Sequence, residues 1–190
     1  MLDWLRLART PEVGPATFAQ LIARFGTASS ALEELPRLAR RGGSKIFVPA
    51  TQEDTARELE ALEKAGGRLV PSCDPDFPEG LAALTPPPPL ISVLGALRRR
   101  DMIAIVGARN ASALARKFAQ LLARELGEAG LVVVSGLARG IDSAAHEAAL
   151  ELGTVAVVAG GVDVIYPPEN EILYRAIAKK RRGDFGNAVR

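Results

Sequence analysis

Three short apolar runs, each opening into a glycine-bearing loop and then a helical stretch, constrain this chain more than any other feature. Met102–Val106 opens into Gly107-Ala108-Arg109-Asn110. Leu131–Val134 opens into Ser135-Gly136-Leu137-Ala138-Arg139-Gly140, and Val155–Val158 into Gly160-Gly161-Val162-Asp163. The segments between them, Ala111 to Glu128 and Asp142 to Leu152, have helical length and are closed by Gly130 and Gly153. Short strands that are apolar throughout belong in a parallel sheet covered by helices on both faces. Right-handed crossovers then lay the three strands side by side as one half of a Rossmann-like sheet. The expected fold class is therefore α/β: a partial Rossmann-like parallel sheet of about three to four strands with flanking helices. Its last helix is expected from about Glu169 to Lys179.

The residues before this sheet follow another pattern. Residues 1–66 are rich in Ala, Leu, Arg and Glu, and Phe18, Leu21, Ile22 and Phe25 recur at helical spacing before the stop signal Gly26. Further helices are expected near Ser30–Arg40 and Gln52–Ala65, which makes this a small all-α domain. Residues 67–100 carry Asp74-Pro75-Asp76-Phe77-Pro78 and Pro86-Pro87-Pro88-Pro89. Consecutive prolines fit neither a helix interior nor a central strand, so this connector is extended, either a stiff spacer or a packed edge segment. The expected division is 1–66 helical, 67–100 connector, 101–182 sheet domain and 183–190 tail.

Composition narrows the class. Twenty-four basic against 22 acidic side chains leave a formal charge of +2, so any nucleic-acid site must be a local patch. The single thiol, Cys73, cannot form an internal disulfide. No apolar run is long enough to span a bilayer, and the N-terminus does not read as a secretory signal; a cytoplasmic location is expected.

All three glycine-bearing loops fall on the carboxyl edge of the sheet, where open α/β folds bind ligands. Glycine lets the backbone turn sharply and lets a phosphate approach the amides. Helix N-termini aim unpaired N–H groups and positive partial charge at the same place. Arg109 and Arg139 add forked donors suited to phosphate, and Ser112 and Asp142 are expected as helix N-caps. The first loop lacks G-x-G-x-x-G, no acid ends the second strand, and no Walker A motif occurs. Cofactor nucleotides are thus disfavoured, and no cofactor is expected. With one His (His146) and one Cys a zinc site is not credible, and His146 reads as structural rather than catalytic. Asp142 and Asp163 follow strands and could pair, but capping and turn roles suit them better. Arg98-Arg99-Arg100 and Lys179-Lys180-Arg181-Arg182 are the densest basic runs, candidates for backbone contact.

These loops resemble one family. Ile105-Val106-Gly107-Ala108-Arg109 with Ala111-Ser112 is similar to the G-S-R-x-x-S loop of the DNA-processing DprA (Smf) family. Val133 through Asp142, with Ala145-His146 and Ala149-Leu150, resembles the family's most specific signature, and Ala156 through Asp163 with Tyr166-Pro167 and Glu169-Asn170 resembles the block after it. Asp76-Phe77-Pro78 and Pro88-Pro89-Leu90 fit the entry to that domain, and Val13-Gly14-Pro15 fits the hairpin turn of a SAM-like or helix-hairpin-helix module.

The resemblance implies a non-enzymatic, homodimeric recombination mediator that binds single-stranded DNA and helps load the RecA recombinase during natural transformation. It implies a phosphate pocket at Gly107, Arg109, Ser112, Ser135, Gly136, Arg139 and Gly140, with Asp142, Gly160, Gly161, Asp163, Lys179 and Lys180 in support. Ala108 stands where the family has serine, and Ala115 where glycine is common. Family members continue into further strands, whereas residues 179–190 match none of that pattern, so a C-terminally shortened member is expected, with Ile103–Val106 left as an exposed apolar edge. Two alternatives stay open: a nucleotide-processing enzyme on the same fold, and an inactive remnant of the family.

Overall fold

A computed structural model describes residues 1–41, 48–95, 97, 101–162, 164–179 and 187–189. Asp163, Arg98-Arg99-Arg100 and Lys180-Arg181-Arg182 lie outside the described residues. The chain divides into two compact units, Met1–Glu63 with Leu69–Ile91, and Lys64–Arg68 with Ser92–Arg190.

The first unit holds helices α1 (Leu2–Arg9), α2 (Pro15–Phe25) and α3 (Ala28–Arg41), and most of α4 (Gln52–Lys64). Helix α2 starts where Gly14 precedes Pro15, whose fixed φ suits the first helical position, and stops at Gly26 with φ +79°. Its apolar face meets α1 and α3 in a core of Leu7, Phe18, Leu21, Ala31, Leu32 and Leu35. Trp4 sets its ring edge-on to Phe18, centroids 5.0 Å apart. The Trp4 indole N–H donates to the Pro89 carbonyl at 2.8 Å. The proline run is therefore tied down, and the connector is packed rather than a free spacer. It supplies strand β1 (Gly67–Pro71), a short helix α5 (Glu79–Ala82) and strand β2 (Leu90–Gly95).

The second unit alternates strictly: β3 (Met102–Ala104), α6 (Ala113–Glu128), β4 (Val132–Ser135), α7 (Ile141–Ala149), β5 (Thr154–Val157), a 3-10 turn over Pro168–Asn170, α8 (Glu171–Lys179) and β6 (Asn187–Val189). Strand order is β1-β2-β6-β5-β4-β3. Strands β3, β4 and β5 are parallel in the predicted order, with Ile103 opposite Val133 and Val134 opposite Val155. Strand β6 runs parallel to β5 and antiparallel to β2, so residues in the expected tail fill a place inside the sheet. Ile105, Val133, Ala123, Ala145 and Ala149 pack α6 and α7 onto the sheet, while Ala156, Leu173, Tyr174 and Ile177 pack α8. Strand β3 ends the sheet and its three residues are exposed, but Ile105, inside the stretch expected as an exposed edge, is buried against α6 and α7. Among the described residues no helix is long and apolar enough to cross a membrane.

Candidate nucleic-acid interface

Three loops leave the carboxyl ends of β3, β4 and β5 and are here called loops 1, 2 and 3. Loop 1 (residues 105–112) and loop 2 (136–140) press together backbone to backbone. Gly140 sits at φ +81°, and a Cβ there would strike the carbonyl oxygens of Ala108 and Arg109. Gly107 approaches Ile141 so closely that an added Cβ would lie 2.6 Å from its Cγ1. These two glycines are required by packing between loops, before any ligand is considered. The contact is stitched by the Ile141 amide, which donates to the Ala108 carbonyl at 3.3 Å. Ser135, at the end of β4, is buried and donates its hydroxyl to the Ile105 carbonyl at 2.6 Å. Its side chain therefore braces loop 1 instead of facing a ligand.

Loop 2 is held from both sides. Asp142 is not the N-cap of α7, since Gly140 takes that position. The Asp142 carboxylate instead lies in the first helical turn, buried, and accepts from the amides of Gly136 (3.2 Å) and Ala138 (3.3 Å). From the other side, Asn170 donates its amide to the carbonyls of Leu137 (2.8 Å) and Ala138 (3.3 Å). This clamp holds Leu137 at φ +58°, a left-handed conformation that costs a non-glycine residue roughly 1–2 kcal/mol, with its side chain fully buried. Strain of this kind persists only where the surroundings over-determine it. Two of the loop amides expected to greet an anion are thus turned toward Asp142, and guanidinium groups are left as the main cationic donors.

Between the loops lies an open cleft of about 600 Å³. Arg109 and Asn110 line it from loop 1, Gly136, Ala138 and Arg139 from loop 2, and Val158, Gly160, Val164 and Tyr166 from loop 3. One wall is cationic and the other apolar. Arg139 is ion-paired with Glu169, both side chains more than half exposed. Arg109 is exposed and has no ion-pair partner among the described residues. Ser112 is the N-cap of α6, its hydroxyl accepting from the Ala115 amide at 3.2 Å, and it does not line the cleft. Gly161 is half-buried and outside the lining. Lys179 ends α8, nine residues long, so the helix rise carries it about 12 Å from the carboxyl edge and away from the cleft.

Beneath loop 2, His146 is fully buried in α7. Thr154 gives its hydroxyl proton to the Val133 carbonyl (2.8 Å), so His146 Nδ1, 2.6 Å away, is the donor to Thr154 Oγ1. Its buried Nε2 has no hydrogen-bond partner among the described residues. Burial pushes the imidazole down to about 4, against the raising influence of Asp142, so the ring is neutral near pH 7 and out of reach of the cleft. No group of three or more His, Cys, Asp or Glu side chains able to hold a metal occurs among the described residues.

Asn110, Glu169 and Asn170 were not among the residues singled out from sequence as site residues, and Tyr166 stood out only as the one aromatic near the loops. The signals available were adjacency to the three loops and, for Tyr166, Glu169 and Asn170, the family-like block that holds them, because a clamp or an ion pair across thirty residues has no sequence period.

Comparison with known proteins agrees over both units. Residues 68–183 match the family model for DNA recombination-mediator protein A, and residues 1–61 match a DprA-like N-terminal HHH domain. The chain is 30% identical to the Protein Smf of Synechocystis over 92% of its own length and 48% of the relative's. It is 34% identical to a putative DNA processing protein DprA of Mycobacterium tuberculosis, over 93% of this chain and 50% of that one. The chain therefore spans about half the length of these curated relatives. Among solved structures, DprA from Streptococcus pneumoniae superposes with a TM-score of 0.70 at 26% identity, covering 100% of this chain and 66% of the other. DprA from Helicobacter pylori, described for its single-stranded DNA binding mode, superposes at 0.56 and 28% identity, over 65% of this chain and 54% of that one.

Proposed function

From the premise that this chain belongs to the DNA recombination-mediator protein A (DprA) family, we propose that its three-loop cleft binds single-stranded DNA by the backbone. The observation that carries this reading is the convergence of Arg109 and Arg139 on one open cleft at the carboxyl edge. Guanidinium groups in an exposed cleft suit phosphate, which on this reading they bind without turnover. The wall of Val158, Val164 and Tyr166 suits an unstacked base, and duplex DNA offers none. The relative from Helicobacter pylori is described as a single-stranded DNA binder, which supports the same choice of ligand. On this reading the chain protects incoming single strands and hands them to RecA during natural transformation, acting as a homodimer in the cytoplasm.

Fluorescence anisotropy with a labelled single strand, across a salt series and against duplex competitor, tests the proposal. Each neutralised phosphate contributes about −0.7 to the slope of log K against log salt. The double variant Arg109→Ala, Arg139→Ala is expected to flatten the slope by about 1.4, on that figure of about 0.7 for each of two arginines, with little regard to base sequence. Equal affinity of the double variant and the parent would move the site away from the cleft.

A further inference from the structure

The cleft between the three loops has two unlike walls, and its size limits what fits between them. A volume of about 600 Å³ suits one small molecule rather than a length of polymer. Arg109 and Arg139 are the charged side chains of its lining, and among the described residues no carboxylate lines it. A groove that tracks a strand over several nucleotides carries its cations along the path of the backbone. Here both cations belong to one pocket, and Val158, Val164 and the exposed ring of Tyr166 make up its apolar wall. One phosphate and one base are what such a pocket can take.

The loop backbone adds little to the cationic wall, because Asp142 takes up the amides of Gly136 and Ala138. An anion here is held by guanidinium groups, so its charge and its free oxygens decide how well. An internal phosphodiester carries one charge and two unesterified oxygens. A terminal phosphomonoester carries about −1.5 to −2 near neutral pH and three strong acceptor oxygens. Three oxygens admit forked contacts from both arginines at once. The ion pair between Arg139 and Glu169 sharpens the difference. Exchanging that carboxylate for a diester replaces one single charge by another, whereas a monoester brings most of a second.

We propose that the cleft binds one nucleotide unit bearing a terminal phosphomonoester, its phosphate between Arg109 and Arg139 and its base against Tyr166. The proposal rests on the reading of the cleft as a single-strand site. It narrows that ligand to the phosphorylated end of a strand or a free nucleoside monophosphate, which share this chemistry.

Fluorescence anisotropy of the full chain with short, internally labelled single strands is the test. Strands with a 5′-phosphate, a 3′-phosphate or hydroxyls at both ends are compared, and thymidine 5′-monophosphate, thymidine and inorganic phosphate serve as competitors. A terminal phosphate is expected to tighten binding about fivefold at low salt, the upper range for an exposed charge pair. The mononucleotide should displace the hydroxyl-ended strand at a concentration where thymidine does not. Arg109→Ala with Arg139→Ala is expected to abolish both effects; the two residues are exposed, so circular dichroism should be unchanged. Tyr166→Ala should reduce the mononucleotide to the potency of inorganic phosphate. A gain from one end phosphate without displacement by the mononucleotide assigns the site to strand ends, and the reverse assigns it to the free nucleotide. Strands that bind equally whatever their ends, with no displacement by the mononucleotide, overturn the inference and leave the single-strand reading standing. So does a phosphate gain that survives the double arginine variant. Failure of every strand to bind would instead sink that reading, and calorimetry with the mononucleotide alone would then decide this one.

Discussion

Loops 1 and 2 each bring one arginine to the same cleft, yet they are built in opposite ways. In loop 2 both backbone partners are fixed: Asp142 takes the amides of Gly136 and Ala138, and Asn170 takes hold of the carbonyls of Leu137 and Ala138. Its arginine is also paired, with Glu169. Loop 1 has no such two-sided side-chain clamp among the described residues; it is held by the Ser135 hydroxyl on the Ile105 carbonyl and the Ile141 amide on the Ala108 carbonyl, and it leans Gly107 on Ile141 and its carbonyls on Gly140. Its Arg109 has no ion-pair partner among the described residues. Preorganisation in this site therefore resides in loop 2, and loop 1 inherits its position from it. On the proposed reading Arg109 would meet an anion unopposed, whereas Arg139 would first have to leave a carboxylate.

The largest effect should come from breaking the surface on which one loop rests against the other. Gly140→Ala places a methyl against two backbone carbonyls of loop 1 at φ +81°, and neither partner is a side chain that can swing away. Urea unfolding is expected to show a loss of about 3 kcal/mol or more. Gly160→Ala in loop 3 is the control: its Cβ would sit 3.4 Å from Val164 Cβ, with a change within about 0.5 kcal/mol. Similar costs for the two substitutions would show that the loops do not depend on backbone contact.

A second effect of comparable size acts from below loop 2 through pH. His146 has its folded value lowered to about 4 from 6.5, so between those values the unfolded chain binds a proton that the folded chain refuses. Stability is complete above pH 6.5 and is lost as pH falls toward 4, by about 1.4 kcal/mol per pH unit and about 3 kcal/mol in all. His146 is the only histidine in the chain, so the upper part of that window reports on it alone. Unfolding free energies that stay flat through that upper part would mean the ring is not held neutral by burial.

The alternation of strand and helix was legible because β4 and β5 are mostly buried, so Val132–Val134 and Val155–Val157 form short apolar runs that leave a sequence trace. Arg109 and Arg139 were legible for a related reason, since strand-following loops share one edge whatever the tertiary details. What the side chains do at that edge was not. Ser135 looks like a phosphate ligand in sequence, but the end of β4 turns its hydroxyl to Ile105. Asp142 looks like a cap, but Gly140, with φ +81°, takes the capping position and leaves the carboxylate to organise loop 2. Strand β6 is three residues beside a longer partner, too short to show any period. Asn170 is one residue whose role exists only once loop 2 has folded onto it.

The smallest expected effect is the most discriminating between the two arginines. Glu169→Gln removes the carboxylate that Arg139 must leave, while keeping a side chain of the same length. The pair is exposed, so its strength is at the low end for ion pairs, and single-stranded DNA affinity is expected to rise only about twofold at low salt. Salt should erase the difference, because ions screen an exposed pair as well as they screen phosphate. In the Arg139→Ala background the same substitution should do much less, since the cation it releases is gone, whereas in the Arg109→Ala background the gain should persist. A gain that survives Arg139→Ala in full would mean that Glu169 acts on the bound strand by plain repulsion, and the contrast between a leashed and a free arginine would fall with it.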